Sequence, residues 1–228
     1  HAGGNYFARE NPEAAIDSLA TLLKHQREDG SIPSRVEREY QAVKFTPGLR
    51  KVSKPIFNLI EGRVKGRNER PVHEGMDFAG GEDTVPATLI AAGELFINSE
   101  KGREFIKQNF EKLKKAADFF KLTKTDAKDG LAVMTRNNPD WADTVTRKGK
   151  LGTVNVWWAR GLRMLEYMAN EMGNKETAKA YREEFERVKR SVLEKLYDRE
   201  GGFFRAEAGG DRLDTVASVF GALYFLSP

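Results

Sequence analysis

The sequence predicts an all-α fold in which antiparallel helix pairs assemble into a helical-hairpin array or toroid. Six segments carry apolar residues at steps of three and four, which is the spacing of one face of an α-helix. Long loops rich in polar residues alternate with short connections, so we expect the polar loops to gather at one end of the array. No repeat is strong enough to indicate a tetratricopeptide-like solenoid.

The composition is that of a single globular domain covering residues 1–228. Hydrophobic residues make up 39% and charged residues 32%, which excludes a disordered chain. The net charge of +4 comes from 38 basic and 34 acidic residues that are interspersed, so we expect no nucleic-acid partner. The chain has no cysteine, which excludes disulfides and thiolate metal sites and favours a reducing, cytoplasmic location.

No apolar run is long enough to cross a membrane, and no signal-peptide pattern is present. We therefore expect no membrane partner. Abundant Lys, Glu and Arg without Cys is also typical of proteins from thermophiles.

Three helices are predicted in the first half of the chain. The first begins after Asn11 and ends near Gln26, the second begins at Asp83 or Thr84, and the third spans about 100–121. Their predicted buried stripes are Ile16, Leu19 and Leu23; then Val85, Leu89, Ala92 and Phe96; then Ile106, Phe110, Leu113, Ala117 and Phe120.

Three more helices are predicted in the second half. The fourth runs from about 154 to 172 and ends at Gly173, and the fifth runs from about 175 to 196. A short strand-like piece at 203–204 precedes the sixth helix, which Asp214 caps. Their predicted stripes are Trp158, Leu162, Leu165, Ala169 and Met172; then Tyr181, Phe185, Val188, Val192 and Leu196; then Val216, Val219, Leu223 and Leu226.

Residues at about 36–82 form the least regular part of the chain, because Gly and Pro interrupt every candidate periodicity. A loop of this length within a compact domain is typical of a lid or a substrate wall. His73, Glu74 and Asp77 have the composition of a metal cluster, but their spacing matches no metal-binding pattern. No Gly-rich phosphate loop is present either, so we expect no cofactor and no metal.

The chemistry is predicted to lie in residues 137–161. This stretch places Trp141 between Asp140 and Asp143, continues through a basic turn at 147–150, and then enters the fourth helix. An aromatic ring beside a carboxylate suits a sugar substrate, because the ring can stack on the sugar and the acid can protonate a leaving oxygen.

Two further residues have both a structural and a functional interpretation. Arg35 follows a Pro in an extended loop, where it is either a solvated surface charge or a hydrogen-bond donor to a substrate. Asp83 is either a helix cap alone or a cap whose carboxylate also faces a ligand, since Gly80 and Gly81 before it allow close backbone approach.

Four segments, in the same order along the chain, resemble motifs of one enzyme family. Residues 140–143 resemble its TWMDA loop, and residues 147–162 resemble its R-x-GKPVEINALWYNAL run. Residues 83–86 resemble its D-x-TPLF step, and residues 29–33 its DG-x-IP loop. The family is the amylo-α-1,6-glucosidase domain of glycogen-debranching enzymes, with its relatives among the inverting (α/α)6-barrel glycosidases. The positions in register are Trp141, Asp143, Gly149, Lys150, Asn155, Trp158 and Leu162.

This resemblance implies a six-hairpin glycosidase that cleaves α-glucosidic linkages of oligo- or polysaccharides with inversion. Asp143 takes the place of the general acid, while a second carboxylate activates water on the other face of the sugar. That role needs a raised pKa, which a closed Trp-lined pocket favours. Trp141 would stack on a sugar ring, and Asp83 and Arg35 would hold hydroxyls. The implied substrate-binding set is Trp141, Asp83, Arg35, Asn155, Trp158 and Lys150.

The sequence departs from the family in two ways. The Glu of the family's VEIN run is Thr153 here, and the family's base lies in the second half of the barrel, whereas this chain supplies about six of the expected dozen helices. The expected fold is therefore an incomplete (α/α)6 toroid, completed by the remainder of the barrel or by a homo-oligomer. Glu207, Asp211 and Asp214 are late carboxylates near loops, for which capping and surface roles suffice.

Two alternative functions stay open on the same fold. One is a hydrolase for trehalose or for the glycoside of a small acid, since the shape of the subsites decides the substrate. The other is a non-catalytic carbohydrate-binding or scaffold half-toroid, which would retain the Trp residues while Asp143 became dispensable. The fold alone does not distinguish them.

Overall fold

The computed structural model describes residues 10–33, 83–135 and 147–226. The irregular segment at 36–82 and the residues Arg35, Trp141 and Asp143 lie outside this part. Within it the all-α prediction is confirmed. The helices are α1 (Pro12–Lys24), α2 (Thr84–Asn98), α3 (Glu100–Lys124), α4 (Gly152–Glu171), α5 (Lys175–Lys195) and α6 (Thr215–Gly221), followed by a π-helix (Ala222–Leu226); β1 (Tyr197–Asp198) and β2 (Phe203–Phe204) form an antiparallel pair.

Side-chain caps fix where several helices begin. Asn11 accepts a hydrogen bond from the backbone N–H of residue 14 at 3.0 Å, as predicted for α1. Ser99 and Asn174 cap α3 and α5 in the same way, each at 3.1 Å. Each cap satisfies a backbone donor in the first turn that has no partner within its own helix.

Short connections make antiparallel hairpins of α2 with α3 and of α4 with α5. Ser99 alone separates α2 from α3, and residues 172–174 connect α4 to α5. Gly173 adopts a φ of 77° in this second turn, a left-handed conformation that glycine adopts without steric cost. Lys121 of α3 and Glu184 of α5 form an ion pair at 3.1 Å, which ties the two hairpins together.

The helices α2 and α4 run parallel, because residue numbers increase together along their contact. A Cβ atom on Gly161 would meet Leu89, and one on Gly93 would meet Met164. Further along, the rings of Phe96 and Tyr167 meet edge to face at 6.2 Å. The two glycines allow the helices to approach closely along this line.

The helices α4 and α6 also run parallel, by the same reasoning. Gly152 lies against Ala217 at the start of both helices, and the rings of Trp157 and Phe220 are 6.3 Å apart further along. Beyond them, the Arg160 guanidinium lies over the Tyr224 ring. The amino ends of α2, α4 and α6 therefore share one end of the array, and the loop before each of them is at that end.

The core is continuous around α4, in which 15 of the 20 residues are buried. Trp158 packs on Phe120 of α3 with ring centroids 4.7 Å apart. Burial of most of a helix's residues is what an inner helix of such an array requires. None of the helices in the described part of the chain is long and apolar enough to cross a bilayer.

The buried face predicted for α6 is wrong at two positions. Val219 is 53% exposed and Leu223 is 61% exposed, while the described face that packs inward carries Ala217, Gly221 and Phe225. The small residues Ala217 and Gly221 let α6 approach its neighbours closely. The side chain of Leu226 lies outside the described part.

Candidate active site

The segment 136–146, which contains Asp143 and Trp141, is held at its two ends by a β-bridge. The backbone N–H of Met134 donates to the Gly149 carbonyl at 2.8 Å, and the N–H of Gly149 donates back to the Met134 carbonyl at 2.7 Å. Gly149 has a φ of 88°, which favours glycine at the turn into α4. Both ends of the segment therefore lie at the amino end of the inner helices.

Asp83 occupies the N-cap position of α2, as predicted, and is buried. Its side chain makes no capping hydrogen bond to the first turn. Contacts between α2 and α4 further along both helices place Asp83 beside the first turn of α4. Its role toward a substrate stays a prediction.

Lys150 is engaged by two carboxylates of the loop after α3. Its Nζ lies 2.8 Å from Asp126 Oδ2 and 2.6 Å from Asp129 Oδ2, and Lys195 reaches the same Asp129 oxygen at 2.6 Å. Burial alone would raise the pKa of Asp129, but hydrogen bonds from Lys150 and Lys195 lower it to about 2. This cluster fastens the turn at 149–151 to the ends of α3 and α5.

Asn155 is fully buried, and its carboxamide bonds to backbone groups on two sides. Its Oδ1 accepts from the Ala132 N–H at 2.6 Å, and its Nδ2 donates to the carbonyls of Ala132 and Leu151 at 3.1 and 2.8 Å. Three hydrogen bonds satisfy most of what an amide side chain can make. Asn155 therefore joins the strand-like piece before the segment 136–146 to the first turn of α4.

Trp158 is also fully buried, on the side of α4 that packs against α3. Its indole Nε1 finds no hydrogen-bond acceptor among the described residues. Trp157, one position away, lies between α4 and α6 next to Phe220. Three predicted substrate residues thus lie near the amino end of α4, where they contact α3 or the loop after it: Lys150, Asn155 and Trp158.

A buried group that joins three elements involves Asp214, which the sequence predicts as a helix cap. Its Oδ1 accepts from the Ala217 N–H at 2.9 Å and caps α6, as predicted. Its Oδ2 accepts from Thr153 Oγ1 at 2.7 Å and from Arg147 Nη1 at 3.3 Å. Sequence reasoning missed the second oxygen's partners, because they lie 61 and 67 residues away and no local pattern links them.

The other late carboxylates lie on the surface turn before α6. Glu207 accepts from Arg212 at 3.0 Å, and Asp211 is exposed. His73, Glu74 and Asp77 lie outside the described residues. Within the three described ranges, no group of three His, Asp or Glu side chains is arranged to hold a metal ion.

The arrangement of helical hairpins around parallel inner helices is that of a six-hairpin glycosidase-like fold. The family model of the mannosylglycerate hydrolase MGH1-like glycoside hydrolase domain matches residues 5–227. The chain belongs to this glycoside hydrolase domain family. This confirms the predicted glycosidase class, while the amylo-α-1,6-glucosidase type stays a prediction.

A rhamnosidase from Klebsiella oxytoca, solved with rhamnose bound, has a similar structure with a TM-score of 0.65 and 13% sequence identity. The match covers 93% of this chain and 34% of the rhamnosidase, so the chain spans about a third of that protein's length. At this identity the likeness shows the fold. No curated protein matches the sequence.

Proposed function

We propose that this chain is a glycoside hydrolase domain that works with inversion and uses Asp143 as its general acid. The observation that carries the proposal is the β-bridge between Met134 and Gly149, which holds both ends of the segment 136–146 at the amino end of the inner helices. Membership of a glycoside hydrolase domain family supports the same reading.

In this mechanism Asp143 donates its proton to the glycosidic oxygen as the bond to the anomeric carbon breaks. A second carboxylate takes a proton from the water that attacks the opposite face of the sugar, so the anomeric configuration inverts. Asp143 must be protonated at the working pH, which a closed pocket lined by Trp141 would favour by disfavouring the ionised form.

The remaining predicted residues divide by position. We assign Trp141 to stacking on the sugar, and Asp83 and Arg35 to holding its hydroxyls. Lys150, Asn155 and Trp158 contact neighbouring elements, so we assign them to supporting the substrate site from behind.

Two substrate classes are candidates. The motifs at 83–86 and 140–162 favour the α-glucosidic linkages of oligo- or polysaccharides, as in debranching-type enzymes. The description of the family, which refers to mannosylglycerate hydrolase, favours the glycoside of a small hydroxy acid, and trehalose is a related small substrate. A non-catalytic, carbohydrate-binding half-toroid is the third candidate.

The test is product formation from α-1,4- and α-1,6-linked glucosides, trehalose and mannosylglycerate by the wild type and by Asp143→Asn. We expect hydrolysis of one class by the wild type, loss of at least about 100-fold in Asp143→Asn, and release of the inverted anomer. The matched control is Asp17→Asn, which removes an exposed carboxylate on α1 and should leave the rate unchanged.

Three other outcomes contradict parts of the proposal. A retained anomer would contradict inversion. Full activity in Asp143→Asn would contradict its role as the acid. Binding of a sugar without hydrolysis by the wild type would favour the non-catalytic candidate.

A further inference from the structure

One face of α6 and of the π-helix after it is open to solvent. We call it the open face and define it by its exposed residues: Thr215, Val219, Ala222 and Leu223. Val219 and Leu223 are more than half exposed, and so is Leu213 just before the helix. Within the described ranges, three of the six exposed large apolar side chains thus lie between Leu213 and Leu223.

The open face also lacks the charges that a solvated helix face usually carries. From Thr215 to Leu226 the sequence contains no Asp, Glu, Lys or Arg. The outer helices, by contrast, expose charged side chains along their length, such as Lys107 on α3 and Arg190 on α5. A surface helix carries charged or polar residues on its solvent side, so we expect another protein surface to cover the open face.

The apolar residues of α6 have the spacing at which two helices pack side by side. Val216, Val219 and Leu223 follow one another at steps of three and four residues. The sequence predicts that this stripe is buried, whereas Val219 and Leu223 are exposed in the single chain. A packing stripe is therefore present, and no described element of the same chain covers it.

The chemistry of the open face restricts what can cover it. A charged side chain buried against this face would lose its water without gaining a partner, so the covering surface must be uncharged as well. The exposed faces of α1, α3 and α5 do not meet this requirement, since each carries charged residues. The open face of a second copy meets it, and a twofold axis brings the same face of two copies together.

We propose that the chain forms a symmetric dimer in which the open faces of two α6 helices pack against each other. This interface goes beyond the proposed function and does not rest on it. It assigns a role to the apolar stripe of α6 that the fold of one copy leaves exposed.

The size of the open face indicates how tight the dimer is. α6 and the π-helix run from Thr215 to Leu226, which is about 18 Å at 1.5 Å per residue. A helix is about 10 Å wide, so this face alone is smaller than the roughly 800 Å² that each partner buries in a standard interface. We therefore expect reversible association with a Kd of roughly 10 to 100 μM.

Sedimentation equilibrium between about 5 and 300 μM tests the association. We expect the average mass of the wild type to rise from 25.7 kDa toward twice that value. Leu223→Asp places a charge within the interface and should raise the Kd at least about tenfold. The matched control is Leu122→Asp, the same substitution at a side chain of α3 that is 82% exposed, which should leave the Kd unchanged.

A cross-linking experiment tests which surface is used, and does not depend on the Asp variants. The chain contains no cysteine, so one introduced thiol reports its own surroundings. Val219 lies in the middle of the open face, so the twofold axis places it near its own copy. In air, Val219→Cys should form a disulfide-linked dimer at least about tenfold faster than Leu122→Cys, whose exposed thiol measures random collisions.

Two results would overturn the proposal. A wild type that stays monomeric at about 300 μM would show that a different protein segment covers the open face. Association that survives Leu223→Asp, or equal rates of cross-linking in the two Cys variants, would show that the copies associate through a different surface. Loss of association in a folded Leu223→Asp variant, together with fast cross-linking of Val219→Cys, would establish the dimer.

Discussion

The helices α4 and α6 are both inner helices that run parallel, but they differ in what surrounds them. α4 lies between α2 and α6 and packs on the outer helices, so that Leu162 is buried. α6 packs inward through Ala217 and Gly221 and exposes Val219 and Leu223. Apolar periodicity therefore identifies the faces of a helix that can be buried. Which of those faces is buried depends on the neighbouring elements.

The largest expected difference between the two helices comes from the same substitution made in both. Leu162→Ala in α4 should lower the free energy of unfolding by about 2 to 5 kcal/mol, because it leaves a cavity in a close-packed core. Leu223→Ala in α6 should change it by less than about 0.5 kcal/mol, because that side chain is exposed. Urea unfolding of both variants and the wild type measures the two values.

Equal losses from these two substitutions would contradict the comparison. A loss at Leu223 that grows with protein concentration would show instead that a second copy covers α6 in solution. That result would support the homo-oligomer predicted as a partner.

A second pair concerns the glycines at which the two helices approach their neighbours. A Cβ atom on Gly152 of α4 would lie 2.2 Å from the Arg205 backbone oxygen, whereas one on Gly221 of α6 would lie 2.4 Å from the Phe204 ring. A ring can turn aside more easily than backbone can. We expect a loss of about 3 kcal/mol for Gly152→Ala and about 1 kcal/mol for Gly221→Ala, measured by thermal unfolding. The reverse order would show that the start of α4 is less constrained than this contact indicates.

A third pair tests the polar groups that anchor the two helices. Asn155→Ala would leave the backbone N–H and carbonyl of Ala132 without their side-chain partner in a buried place, at a cost of about 2 to 3 kcal/mol. Ser218→Ala removes the half-buried hydroxyl that accepts from the Phe204 N–H at 2.9 Å, at a cost of about 1 kcal/mol. Urea unfolding measures both values from the shift of the midpoint, provided that the free energy of unfolding depends on urea concentration with the same slope in each variant. A neutral Asn155→Ala would show that its amide has another role, such as the predicted contact with substrate.

The last expected effect is a dependence on pH at the start of α4. The pKa of Asp129 is about 2 in the folded protein and near its ordinary value of about 4 when unfolded, so the carboxylate stabilises the fold above pH 4. That contribution, about 2 kcal/mol, is lost as the pH falls from about 4 to about 2. The free energy of unfolding of Asp129→Asn should therefore fall less steeply than that of the wild type between these pH values.

The control for this prediction lies on the approach to α6. Asp198 accepts from the Gly201 N–H and from Arg205, which lower its pKa, but the side chain is only partly buried and solvent screens its charge. In Asp198→Asn, the free energy of unfolding should fall between pH 4 and pH 2 about as steeply as in the wild type. A larger change in Asp198→Asn than in Asp129→Asn would contradict the assignment of the acid effect to α4.

The local part of the fold could be predicted from the sequence. The caps of α1 and α6 at Asn11 and Asp214 are confirmed, as are the buried stripes of α2 and α3. These features depend on residues within one or two turns of each other, so a single sequence contains them. The face of α6 was predicted wrongly because apolar residues lie on both of its sides, so their spacing alone does not show which side is buried.

Which residues lie near the candidate site could be predicted from the sequence, but which residues they contact could not. The motif around Asp143 drew attention to the loop before α4, and Lys150 and Asn155 lie at the end of it. The partners of Lys150 lie 21 and 24 residues before it, and the Arg147 partner of Asp214 lies 67 residues away from it. Such pairs form because the hairpins bring distant loops to one end of the array, which spacing along the chain does not reveal.

The proposed function requires that a glycoside binds at the amino end of α2, α4 and α6. Amide hydrogen exchange of the Asp143→Asn variant, with and without the glycoside that the wild type hydrolyses, measures where it binds. We expect slower exchange at 83–86, 136–151 and 207–214 when the glycoside is bound, and no change at 98–99 or 172–174. Slower exchange at the opposite end, or no change anywhere at saturating glycoside, would contradict it.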